Sequence, residues 1–399
     1  MVKKYILFLF IILNATAIFS QTQTLFLDKK FDEALTLSKA EKKPLVLLFY
    51  ATWCPHCNKM KKEVFTDSTV VDFYKKNYVC MAVDAPSVYG QELRAKFQAK
   101  FKVTSFPTFA FLDSNENLLY CDFGELKKDE FLSDGKDVLL PENQLPNIKD
   151  AYYKDPSNVD KCLKYITTIR KAMLDATPIA QEYLRTKNQD EKLTEPNWKV
   201  FANGINDFDT DEFKFIIKNK DVFSKVASPK RVERKIVYTI SETLKPLAES
   251  LDTVNYGKKR LVAESFHIRK IDSLLYIYDI QIASQTKNWK KYQKATSDNV
   301  EKFSWNDPFL LYDICNTYLE AINDKEELQQ AGEWSKHLLL FGGSMDKYIL
   351  TTKLFLKSKD YKQALEFAQK GKNLADSSKF KVDEINPLLA EAKKSIHKP

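Results

Sequence analysis

Glycine and proline are scarce in this chain, 9 and 14 among 399 residues. That scarcity argues against a loop-rich all-β protein and against a disordered one. Beyond the first twenty residues no run is long and apolar enough to cross a bilayer, which takes roughly 20 apolar residues. No RNA- or DNA-reading motif occurs. The net charge of +8 comes from lysines scattered among acids. We read it as a solvated exterior, with no nucleic-acid partner expected. Cysteine is also sparse, six in all. Six is too few for a disulfide-dense scaffold of this length.

What is present points to two or three domains. An apolar fraction of 44% supports real cores. Lys3 and Lys4 precede an apolar run from Tyr5 to Leu13, followed by small and polar residues up to Ser20. This is the pattern of a secretory signal over 1–20, with cleavage after Ala17 or Ser20. The run is short for a membrane anchor, so no membrane insertion is expected once the signal is removed.

Strand and helix patterns alternate after the signal. Lys30 to Lys43 reads as a helix, and the unbroken apolar run Leu45 to Tyr50 as a strand buried on both faces. Helices are expected over Asn58–Phe65, Ser68–Lys76 and Gln91–Phe101. Strands are expected over Tyr78–Val83, Thr108–Leu112 and Leu118–Phe123, with a last helix from about Leu126. This order defines an α/β domain at 21–141, a mixed sheet flanked by helices. Pro141 and Pro146, with the polar residues between them, mark a linker at 142–148. Strand signals then nearly vanish. Residues 149–274 read as helical without a defensible period. Residues 275–399 carry a faint one, with Ala331 and Trp334 preceding Ala364 and Phe367 by 33 residues. That spacing fits tetratricopeptide-like repeats, against the plainer alternative of a helical bundle.

The chemistry concentrates at Trp53-Cys54-Pro55-His56-Cys57. Disulfide exchange needs an accessible thiolate and a second thiol that resolves the mixed disulfide. Placed where a strand turns into a helix, Cys54 lies at the helix start and Cys57 one turn in. Unpaired amides and the helix dipole stabilise negative charge there. A cationic His56 would add to this, and Pro55 opens the helix without wasting a donor. Cys54 is therefore the expected nucleophile and Cys57 the buried resolving thiol. Zinc is the rival use of a Cys-x-x-Cys pair. It needs two more ligands, and no second pair exists while His267, His337 and His397 stand isolated. No metal and no dissociable cofactor are expected. Phe106-Pro107-Thr108, about fifty residues on and opening a strand, suits a cis peptide beside the cysteines. It would set the backbone of Phe106 where an extended substrate pairs with it.

These residues identify a resemblance. Residues from about Leu27 to Lys136 resemble the thioredoxin family, on Tyr50 to Cys57 and Ser105 to Thr108. Lys59 to Phe65 with Asp67 and Val70 resembles its exported branch, which includes the C-terminal domain of the bacterial thiol:disulfide interchange reductase. The resemblance implies a thioredoxin fold, a Cys54–Cys57 redox pair, Trp53 flanking it and Pro107 as cis-proline. It further implies a periplasmic protein thiol–disulfide oxidoreductase. Its partners would be protein thiols or disulfides and a redox partner, with the helical region for docking. Two acids usual in the family are replaced, by Leu48 six residues before Cys54 and by Lys61 seven after it. The Pro-His dipeptide matches strongly oxidising members, so the direction of electron flow stays open. The alternative is a helical-repeat adaptor whose thioredoxin domain is redox-gated or vestigial; a chaperone or isomerase is a third reading. Cys80, Cys121, Cys162 and Cys315 are expected to be free, buried thiols.

Overall fold

The computed structural model describes residues 25–378 and 384–396. The proposed signal segment and His397 lie outside them. The chain divides into two compact units, Met1–Lys235 and Ile236–Pro399.

In the first unit, α1 (Phe31–Glu41), β1 (Leu45–Tyr50), α2 (Pro55–Glu63), α3 (Ser68–Asn77), β2 (Val79–Asp84), α4 (Val88–Phe97), β3 (Thr108–Leu112), β4 (Leu118–Phe123) and α5 (Lys128–Val138) follow in order. The four strands form one mixed sheet in the order β2-β1-β3-β4. β1 runs parallel to β2, with Leu48 opposite Ala82, and antiparallel to β3, with Leu48 opposite Phe109. β3 and β4 are antiparallel, with Phe109 opposite Asp122.

The apolar run of β1 is unbroken because both of its faces are covered. Leu45, Leu47 and Phe49 pack with Phe31, Leu93, Phe97 and Phe101 on one side. Val46 and Leu48 pack with Met60, Val70, Tyr74 and Phe131 on the other. Each such side chain removed from water contributes about 1.5–3 kcal/mol. Lys42 takes a left-handed backbone at the end of α1, and Pro44 keeps that helix from continuing. The β3–β4 turn is closed by Asp113, whose Oδ1 accepts from the backbone N–H of Asn115 and of Asn117, both at 2.8 Å.

Residues 142–148, expected as a linker, form a short 3-10 turn (Pro141–Asn143) and the start of α6 (Leu145–Lys154). With α7 (Val159–Lys171), α6 packs along the outer strand β4. Leu145, Ala172 and Leu174 join the apolar cluster of α1 and α4. The Lys102 N–H donates to the Ala172 carbonyl at 2.9 Å. Lys171 Nζ reaches Asp122 Oδ2 at 2.7 Å. A sheet edge presents unpaired backbone groups, and here helices cover it. Five shorter helices follow: α8 (Thr177–Arg185), α9 (Gln189–Lys192), α10 (Glu195–Gly204), α11 (Asp211–Lys218) and α12 (Lys220–Val226). The division between units falls in α13 (Pro229–Glu249).

The second unit is helical among its described residues: α14 (Thr253–Glu264), α15 (Arg269–Gln285), α16 (Trp289–Asn299), α17 (Pro308–Ala321), α18 (Lys325–Leu338), α19 (Met345–Lys357), α20 (Tyr361–Ser378) and α21 (Ile385–Ile396). From α17 on, each helix packs on the next one in sequence. Ala331 and Trp334 of α18, and Ala364 and Phe367 of α20, are all buried. No described helix is long and apolar enough to cross a membrane.

Candidate functional site

β1 ends at Tyr50, and Ala51-Thr52-Trp53 turn the chain into α2. Cys54 is the N-cap of α2, in extended backbone, and Pro55 is the first helical residue. The Cys54 sulfur accepts the Cys57 N–H at 3.3 Å. A sulfur thus occupies the place where a helix start most favours an anion. The turn is braced by Cys54 N–H to the Ala51 carbonyl at 3.1 Å and Asn58 Nδ2 to the Thr52 carbonyl at 3.1 Å.

Both thiols are buried, in a small cluster with Ala51, flanked by Tyr50 and Phe106. Burial pushes the Cys57 thiol up to about 12, with the neighbouring Cys54 adding to the effect. Cys57 is therefore held as a thiol at neutral pH. The Phe106–Pro107 bond is cis. The Cys54 thiol lies 3.6 Å from the Phe106 carbonyl, to which it donates. Trp53 is 69% exposed and sets its ring edge-on to Phe106, centroids 5.9 Å apart. The structure thus gathers Trp53, Cys54, Cys57, Phe106 and Pro107 at one point. His56 turns outward.

A residue that sequence reasoning missed stands beside this group. Glu125 takes His56 Nδ1 on Oε2 at 2.7 Å and Lys59 Nζ on Oε1 at 2.5 Å. Hydrogen bonds from His56 and then Lys59 hold its carboxyl below the usual carboxylate range. No motif marks Glu125. Its one local signal is Gly124, a turn former that directly follows β4. Leu48 is buried against Met60, and Lys61 is exposed, so neither position supplies an acid.

All six cysteines are unbonded and buried. Burial raises the thiols of Cys80, Cys121 and Cys315, and pushes that of Cys162 to about 12. Such thiols are poor nucleophiles. Among the described residues no group of three or more His, Cys, Asp or Glu side chains is placed to hold a metal ion.

The fold and this arrangement define a thioredoxin-like protein. The family model for the thioredoxin-like domain matches residues 31–138, and the chain belongs to that family. Thioredoxin-1 of Drosophila melanogaster is 34% identical over 82 residues, 21% of this chain and 68% of that protein. The thiol:disulfide interchange protein DsbD of Vibrio vulnificus is 33% identical over 89 residues, 22% of this chain. The match spans only 14% of the length of that relative. Among solved structures, a thioredoxin from Thermus thermophilus is 27% identical, covering 28% of this chain and 84% of its own, with a TM-score of 0.25.

Proposed function

We propose that this chain is an exported protein thiol–disulfide oxidoreductase that works through Cys54 and Cys57. The observation that carries the reading is the seat of Cys54: a sulfur at a helix N-cap, accepting a backbone N–H, with a second thiol one turn away. In the reducing direction the Cys54 thiolate attacks one sulfur of a substrate disulfide. That bond breaks, and the second substrate sulfur leaves as a thiolate and takes up a proton. Cys57 then gives up its proton and attacks the Cys54 sulfur of the mixed disulfide. The Cys54–substrate bond breaks, and the substrate sulfur that Cys54 had bound departs as the other thiolate. Two electrons have passed to the substrate, and a Cys54–Cys57 disulfide remains for a redox partner to reduce. Run backwards, the same steps oxidise a substrate dithiol. No dissociable cofactor or metal enters these steps.

Trp53 and Phe106 frame the approach to the sulfur, with Pro55, His56 and Pro107 in supporting roles. The partition into signal 1–20, redox domain 21–141, linker 142–148 and helical regions 149–274 and 275–399 belongs to the same proposal. So do a periplasmic location and docking by the tetratricopeptide-like helices. Insulin reduction by dithiothreitol tests the activity. The wild-type chain should accelerate turbidity and Cys54→Ser should not; equal curves would sink the enzyme reading.

One observation favours a second reading, a helical-repeat adaptor with a gated or vestigial redox domain. Leu48 and Lys61 occupy places where the family usually has acids. Cys57→Ala expressed in the native host decides between them: a protein trapped on Cys54 supports the enzyme, and an empty thiol supports the adaptor.

A further inference from the structure

We propose that Glu125 is a positioning residue of the redox pair, pinning His56 and Lys59 to the outer flank of α2 and so limiting how strongly they stabilise a Cys54 thiolate. The inference rests on the redox reading above. It concerns a residue that neither the motif nor the cis-proline segment contains.

The loop that carries Glu125 is held on both sides. Gly124 has φ +89°, a left-handed backbone that favours glycine. Its N–H donates to the Pro107 carbonyl at 2.8 Å. On the other side, the Leu126 N–H reaches Met60 Sδ at 3.3 Å. The loop is thus tied to the Pro107 segment and to α2 at once, so the fold sets where the carboxylate stands. The side chains of His56 and Lys59 are 64% and 54% exposed, whereas that of Glu125 is 27% exposed. The carboxylate is the fixed partner, and the more exposed side chains of His56 and Lys59 come to it.

The consequence is electrostatic. Cys54 lies two residues before His56 and five before Lys59, at the start of the same helix. Removing the carboxylate takes a negative charge from beside the sulfur and frees His56 and Lys59 to approach it. Both changes favour the thiolate, and a stabilised thiolate makes the disulfide the stronger oxidant. Partly exposed charges at this range act through a high effective dielectric, so the effect is modest, about three- to tenfold in an equilibrium constant.

The test equilibrates the full chain with glutathione buffers at pH 7.5 and reads the dithiol fraction of Cys54–Cys57. E125Q should shift the equilibrium toward the dithiol by about three- to tenfold. In the H56A/K59A background the same substitution should shift it by less than twofold, and E125D should restore the wild-type value. A shift below twofold in the single variant, a shift toward the disulfide, or a twofold or larger shift that persists without the cations would overturn the proposal. A wild-type chain that never equilibrates with glutathione would overturn the redox reading as well. An equilibrating wild type with an inert E125Q would overturn this inference alone.

Discussion

The sheet of the first unit and the helices of the second bury their apolar residues in different ways. In the sheet domain, two large clusters lie on opposite faces of β1 and draw on residues from Leu25 to Leu174. The second unit has one cluster of comparable size, from Tyr276 to Leu354, and two small ones, built by helices that follow one another in sequence. Contacts between distant segments cannot relax one at a time, because β1 and β3 each have a strand on both sides and a packed core on both faces. Contacts between consecutive helices relax locally. The sheet domain should therefore be brittle to small backbone intrusions, and the helical unit tolerant of them.

The largest test of that contrast is Gly90→Ala in α4. An added Cβ would meet the Asp84 carbonyl oxygen at 2.2 Å and Ala85 Cα at 2.7 Å. Both atoms are backbone at the end of β2, so neither has a rotamer to yield. We expect a loss of about 3 kcal/mol or more, read as faster amide hydrogen exchange across β1 and β2. Unchanged protection there would break the comparison.

A mid-sized effect is expected from pH. Asp134 of α5 is partly buried, and its Oδ1 lies 3.1 Å from the Tyr120 hydroxyl that also faces Asp122. Lys171 of α7 contacts both Asp122 and Tyr120. The Tyr74 and Tyr78 hydroxyls nearby donate to the Phe131 and Gly135 carbonyls of α5. Burial, then the charge of Asp122, pushes the Asp134 carboxyl up to about 7. The folded chain thus keeps a proton that the unfolded chain releases near pH 4. Stability from this group is full below that value, falls as pH rises toward 7, and then levels off. Between pH 5 and 8 the first unit should lose ~1–2 kcal/mol, and Asp134→Asn should flatten the slope. Denaturant midpoints at the two pH values, with exchange at β4 and α5 to localise the change, would check it.

The smallest effect has the opposite sign. Gly257 lies inside α14, and a Cβ added there meets nothing within 4 Å. Gly257→Ala should stabilise the second unit by about 0.5–1 kcal/mol through helix propensity alone. Slower exchange in α14 with no change in the sheet would sharpen the contrast.

Legibility followed the same divide. β1, β3 and β4 fall on the residues read as strands, because each is a short apolar run between turn formers. Apolar periodicity places helix starts late: by it α2 would begin at Asn58, whereas Pro55 opens the helix as its motif implies, and α4 begins at Val88, not Gln91. In both cases the first turn is organised by a cap. The Cys54 sulfur accepts the Cys57 N–H, and Ser87 Oγ accepts the Gly90 N–H at 3.0 Å. Apolar periodicity does not register caps. The helix read to Phe101 stops at Phe97, since Phe101 packs against Phe97 from the following turn.

By itself, the sequence determined the strand-turn-helix frame, the spacing of Cys54 and Cys57 and the proline that opens β3, because these depend on residues near one another in the chain. Tertiary structure alone decided that Glu125 meets His56 and Lys59 across separations of 69 and 66 residues. It also decided that α7 covers β4 and that Asp134 shares a partly buried cluster with Asp122 and Lys171. Such pairings rest on where the sheet and loops bring side chains after folding, and a local pattern carries no record of that.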